Sequence, residues 1–353
     1  MLRPLILSAT LLATPAFADV PRVATDIAPV HSLVAQVMQG VGTPELIIPP
    51  DASPHDYALR PSEARALSAA SLVVTVGPAL TPWLEETVDT LAGDARHLAL
   101  MEVDGMRLMP FREGAAFAHA HDHGHGHDDD HEDEAGKKHA ESHDDHAHGD
   151  EDHKHEDAHA HGKEEPAGQP HHDGHDGHAH GAGMDPHIWL DPRNGAVALT
   201  AVAEALAALD PGNAATYRQN AQQGVQALDR LEREIGARLD GARGRPFIVF
   251  HDAYHYFEAR FDVEASAAVS AGDAADPGAA RIAELRAHVA DAAPVCAFAE
   301  PQMNVSLLET VVEGQDVRLA TIDPLGAALT PGPALYPQLI AAMADSIAGC
   351  LTE

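Results

Sequence analysis

Apolar and polar positions alternate in blocks along this chain. Four short apolar runs lie in the first hundred residues: Arg22–Ile27, Glu45–Ile48, Leu72–Val76 and Arg96–Leu100. Four more come late in the chain: Phe247–Phe250, Val263–Val269, Val295–Ala299 and Val317–Ile322. Runs this short and this evenly apolar read as strands buried on both faces. Helical patterns lie between them. Ser62–Ala70 follows the second run. Thr81 as N-cap and Pro82 at the first helical position open another helix, which Gly93 closes. Ile282, Leu285 and Val289 mark one apolar face, and Asn304–Glu313 ends at Gly314. Strand and helix alternating twice over predict an α/β fold of two lobes, each a four-stranded parallel sheet flanked by helices.

One helix stands apart. Asp210-Pro211-Gly212 stops the helix before it, and Asn213 can cap the next. Tyr217, Ala221, Val225, Leu228, Leu231, Ile235 and Leu239 then recur at spacings of four and three. That is one apolar face maintained over about 40 Å of helix. It predicts a rigid backbone helix over 213–240, joining an N-terminal lobe (19–212) to a C-terminal lobe (241–353). A helix packed within one lobe is the alternative.

The stretch from His119 to His180 breaks the pattern. It holds nineteen of the twenty-six histidines, nineteen Asp and Glu, four Lys and almost nothing apolar. Such a segment cannot build a core, so a disordered loop is expected over 113–183 of the N-terminal lobe. Neutral imidazole is the commonest protein metal ligand. His119, His121, His123, His125, His127, His175, His178 and His180 are therefore candidates for accessory, low-affinity metal sites. A tether rich in ligands need not be the specific site.

The net charge is −33, of which the His-rich stretch supplies −15, and the remainder is still acidic. This disfavours nucleic acid and favours a cationic ligand. Aromatic residues make up 4%, too few to suggest stacking on sugars or bases. Residues 1–18 read as a cleaved signal peptide, with Arg3 before the apolar Leu5 to Leu12 and Ala16-Phe17-Ala18 at the cleavage site. The apolar run is too short to span a bilayer, so an exported periplasmic protein is expected. Cys296 and Cys350 in an exported chain point to a disulfide, with two buried free thiols as the alternative.

Parallel sheets bind ligands at the carboxyl ends of their strands. His55 lies just past the second run, and His187 just after the His-rich stretch. His251 ends the run Phe247–Phe250, and Asp323 ends Val317–Ile322. Three imidazoles and a carboxylate suit Zn²⁺, and two from each half would tie the lobes together. Each signal alone is weak; their common position at strand ends makes the set. Glu300 also ends a strand, where it can hydrogen-bond a ligand imidazole or cap the following helix. His255, four residues after His251, can share its helical face without being a ligand. His31 reads as a surface or capping residue. No His-Glu-x-x-His helix is present, which argues against a zinc hydrolase.

Ser53-Pro54-His55-Asp56-Tyr57, Arg60-Pro61-Ser62, Asp185-Pro186-His187-Ile188-Trp189-Leu190, Phe250-His251-Asp252-Ala253-Tyr254, Phe298-Ala299-Glu300-Pro301-Gln302 and Asp323-Pro324-Leu325-Gly326 resemble a motif set. It is that of the metal-binding solute-binding proteins of ABC transporters, and among them the periplasmic zinc-uptake component. The resemblance covers nearly the whole mature chain, in order, and includes a His-rich insertion before the second ligand motif. It implies His55, His187 and His251 as ligands. Manganese carriers hold Glu at the third position, so His251 shifts preference from Mn²⁺ toward Zn²⁺. Asp323 is implied as fourth ligand, directly or through water, and Pro54 removes the Glu that can serve there in relatives. His255 stands where similar chains often have Gly. The resemblance also implies a Cys296–Cys350 disulfide. The implied protein is a carrier and not an enzyme, with Zn²⁺ as transported ligand. It would be a monomer that delivers the ion to a membrane permease, with periplasmic metallochaperones as further partners. A periplasmic metal buffer or chaperone working through the His-rich loop, or a carrier of Mn²⁺ or Ni²⁺, is the alternative.

Overall fold

The computed structural model describes residues 20–112, 183–270 and 278–352. Residues 1–18, read above as a signal peptide, and the eight histidines between His119 and His180 named as candidate accessory sites lie outside the described residues. Each apolar run contains a strand, most of them trimmed at the ends, with β5 and β6 running one residue further at the C-terminal side. The first four are β1 (Val23–Thr25), β2 (Glu45–Leu46), β3 (Leu72–Thr75) and β4 (Arg96–Ala99). The second four are β5 (Phe247–His251), β6 (Ala265–Ser270), β7 (Cys296–Ala299) and β8 (Arg318–Thr321). They build two parallel four-stranded sheets with the same winding, β2-β1-β3-β4 and β6-β5-β7-β8. Helices fill the crossovers: α1 (Ala28–Val37), α2 (Pro61–Ser68) and α3 (Pro82–Leu91) in the first half. In the second half they are α6 (His255–Phe261), α7 (Ala279–Ala292) and α8 (Val305–Val312).

Strand periodicity places the second sheet between two apolar layers. Phe247 and Val249 of β5 face one core, and Ile248 and Phe250 face the other with Leu285, Val289 and Leu308. The first core is continuous. It runs from β1 and β3 through α1, α4 (Pro192–Leu209), α5 (Ala214–Arg238) and α9 (Leu335–Thr352) to Phe247 and Phe298.

The long apolar stripe forms α5, 25 residues and about 37 Å long. It is no free strut. It packs along α4 and α1 of the first half and α9 at the end of the chain. Gly224 marks a point of close approach: a Cβ there would meet Leu199 Cδ1 at 2.7 Å and Gln36 Oε1 at 3.2 Å. Asn213 does not cap α5 through its side chain, because its amide donates instead to Asp210 Oδ2 at 2.6 Å in the turn before the helix. Thr81 begins α3 without a side-chain cap, leaving Pro82 as the start signal.

Cys296 and Cys350 are bonded, tying β7 to α9 across 54 residues. In the chain-entropy treatment such a loop contributes about 4 kcal/mol. His31 corrects its sequence reading. It is buried in α1, with Nε2 at 3.2 Å from the Pro44 carbonyl. Burial pushes its pKa down.

Candidate metal centre

The two halves bring their strand ends toward one cavity of about 20 Å³, lined by His55, His187, His251, Glu300, Gln302 and Trp189 among others. That is room for an ion or a water and far too little for an organic ligand. His55 sits on the loop between β2 and α2. Three prolines, Pro49, Pro50 and Pro54, restrict that loop's backbone. Trp83 of α3 pins it, donating Nε1–H to the Pro54 carbonyl at 2.9 Å. Tyr57 donates to Glu63 at 2.8 Å, and Glu63 also accepts the Arg60 amide at the start of α2.

His187 precedes the 3₁₀ turn Ile188–Leu190 and is 2% exposed. Asp185 Oδ1 accepts both its backbone N–H (2.9 Å) and its Nδ1–H (2.7 Å). Trp189 is fixed in turn, since its Nε1–H donates to the Pro324 carbonyl at 2.8 Å. Tyr256 of α6 donates to the Asp185 carbonyl at 2.8 Å. His251 is the last residue of β5, and Glu300 directly follows β7. The β5–β7 pairing runs Phe247 with Cys296 to Val249 with Phe298, and its continuation sets His251 opposite Glu300. Glu300 Oε1 accepts the Nδ1–H at 3.0 Å. These two strands flank the point where the strand order turns, the place where open parallel sheets bind ligands.

A carboxylate oxygen thus stands against the Nδ1 of each of His187 and His251, which favours the tautomer with the proton there. Their Nε2 atoms face each other 3.2 Å apart, close enough to share a proton or to hold a metal ion between them. Zn–N bonds of 2.0–2.1 Å at tetrahedral angles require an N···N edge of about 3.3 Å. His55 completes the set: ligand atoms of the three histidines all lie within 4.8 Å of one another.

Asp323 is not in that group. Its carboxylate closes the turn after β8, accepting the backbone N–H groups of Leu325, Gly326 and Ala327 at 3.0, 2.9 and 2.6 Å. An Asp before Pro-Leu-Gly serves such a turn as readily as a metal. His255 is the first residue of α6 and also lies outside the group. Burial and the Arg112 charge lower its pKa. Glu300 takes the imidazole-holding role and not the capping one.

Sequence reasoning did not assign Asp185 its hold on His187, although its place two residues before that histidine was a readable signal. It also missed Arg112, which reaches from the end of the first half to two buried carboxylates behind His251. Its guanidinium pairs with Asp252 and donates to Glu258 Oε2 at 2.6 Å. Burial alone would lower the Arg112 pKa, but the two carboxylates raise it. Burial also pushes the Asp185 carboxyl up to about 7. A captured cation opposes that shift by favouring the charged carboxylate.

A two-lobed α/β metal-binding protein is the class that this fold and this centre define. The chain belongs to the family of the periplasmic component A of the zinc-uptake complex, whose profile matches residues 23–350. It is 43% identical over 356 residues to the high-affinity zinc uptake system protein ZnuA of Paracoccus denitrificans, covering 99% of both chains. It is 41% identical over 332 residues to the protein of that name from Brucella suis, covering 94% of this chain and 92% of that one. The periplasmic zinc binding protein TroA of Treponema pallidum shares the fold, with a TM-score of 0.67 at 19% identity over 94% of this chain and 99% of that one.

Proposed function

We propose that this protein captures Zn²⁺ in the periplasm and hands it to the permease of an ABC transporter, acting as a carrier and not an enzyme. The observation that carries this reading is the convergence of His55, His187 and His251 from three distant segments, two of them oriented by buried carboxylates. All-imidazole ligation favours Zn²⁺ over Mn²⁺, which prefers carboxylate oxygen. Family membership and the relatives' zinc-uptake names support the substrate and the partner. Asp323 holds its turn and stays outside the coordination sphere. Ligands from both sheets let a small separation of the halves around α5 weaken all bonds to the ion together, which suits release at a permease. The His-rich stretch acts as an accessory collector that raises local metal concentration near the cavity.

Chelator competition on the mature chain lacking residues 119–180 tests the assignment. One tight zinc ion per chain is expected, and its loss in His187→Ala. Tight binding that disappears with the deletion, or survives intact in His187→Ala, would overturn it.

A further inference from the structure

Gln302 follows Glu300 in the loop after β7 and lines the same cavity as the three imidazoles. The two ends of its carboxamide have opposite requirements. Nε2 donates to the Pro50 carbonyl at 3.2 Å and faces Asp323 Oδ1 at 3.5 Å. A carbonyl and a carboxylate accept only, so the nitrogen must face them and the amide cannot be flipped. Oε1 therefore points the other way. It is buried and has no hydrogen-bond partner among the described residues. A buried acceptor of this kind calls for a donor.

The zinc site supplies one. Three imidazoles fill three corners of a tetrahedral ion, and the Asp323 oxygens are held by the amides of its own turn. An ion held by the three imidazoles would leave its fourth corner open to water, whose O–H groups become stronger donors on a cation. We propose that Gln302 is a positioning residue. Its Oε1 accepts a hydrogen bond from the water on the captured ion, while its Nε2 holds Pro50 and with it the loop of His55. One side chain thereby links occupancy of the second half's cavity to the position of a first-half ligand. The proposal rests on the three-imidazole zinc site.

The test uses the full mature chain with Zn²⁺ and, as a spectroscopic probe, Co²⁺. Gln302→Met keeps the size of the side chain and removes both polar ends. Zinc dissociation into excess chelator is expected to be about tenfold faster or more, the range for groups that orient metal ligands. The visible Co²⁺ spectrum should shift, and the metal-free melting temperature should hardly move. Gln302→Glu retains an acceptor toward the water and should bind zinc more tightly than Gln302→Met. A Gln302→Met protein with native dissociation rate and native Co²⁺ spectrum overturns the proposal. A Gln302→Glu protein no better than Gln302→Met overturns the acceptor role. Retention of tight zinc by His187→Ala would instead defeat the underlying site assignment.

Discussion

Glu300 and His251 end adjacent strands, β7 and β5, and the carboxylate accepts the imidazole Nδ1–H at 3.0 Å. The parallel register sets this pair, and the bond favours the tautomer with the proton on Nδ1, whose Nε2 can ligate a metal. Glu300→Leu removes the acceptor and is expected to weaken zinc binding by about 10–100-fold. Glu300→Gln keeps an acceptor without the charge and should lose less. Affinity by chelator competition decides this, and native affinity in the Leu variant would show that the pairing is incidental.

Arg112 pairs with two buried carboxylates, Asp252 and Glu258. Asp252 and Glu258 are both nearly inaccessible, and burial raises the Glu258 pKa despite the guanidinium. Arg112→Met leaves them unpaired, which typically costs about 3–5 kcal/mol. Urea unfolding of the metal-free protein measures it. A loss below about 1 kcal/mol would mean that the carboxylates find protons or water at little cost.

The parts of this molecule that were legible in the sequence are those encoded locally. Every apolar run contains a strand, although only β1, β3, β5, β6 and β7 are buried throughout and β2, β4 and β8 lie at sheet edges partly exposed; α5 follows from a stripe that only a helix can align. His55, His187 and His251 were legible as a candidate set because they stand on the proline-rich loop after β2, at the head of a 3₁₀ turn and at the end of β5. Asp323 was ambiguous, because Asp-Pro-Leu-Gly encodes a self-satisfied turn and a ligand equally well, and the three amides on its oxygens are contacts that the sequence alone does not announce. Arg112, Tyr256 and Gln302 act across 140, 71 and 252 residues of chain. No local pattern announces contacts of that range.

Asp26 directly follows β1, at the turn in strand order of the first sheet, where His251 ends the equivalent β5 of the second. Its oxygens accept the N–H groups of Ile27 and Val76 at 2.7 and 2.6 Å. Burial nevertheless pushes its pKa from 3.8 up to about 7, against the pull of those bonds. Between these values the unfolded chain has lost the proton and the folded chain keeps it. The unfolded state then binds fewer protons, so this group's contribution to stability falls as pH rises through the window. Asp26→Asn cannot titrate and should flatten that part of the profile, while losing one backbone hydrogen bond. Urea unfolding of metal-free protein at about pH 5 and about pH 8 compares the two, and parallel profiles would rule out the shift.

The Cys296–Cys350 bond separates stability from binding. Cys296 begins the strand that leads to Glu300, yet it is fully buried in the core on the side of α9, away from the cavity lining. The bond closes a loop of 54 residues, so its loss should act mainly by freeing the unfolded chain. The double variant Cys296→Ala, Cys350→Ala is expected to unfold about 4 kcal/mol more easily, in the chain-entropy treatment, than the oxidised protein. Its zinc affinity should stay native under conditions where it is folded, because β7 remains hydrogen-bonded between β5 and β8. Urea unfolding and chelator competition on the same preparation test both halves of this statement. A variant of native stability, or one that is folded but binds zinc tenfold more weakly, would mean that the bond positions Glu300 and does not merely constrain the chain.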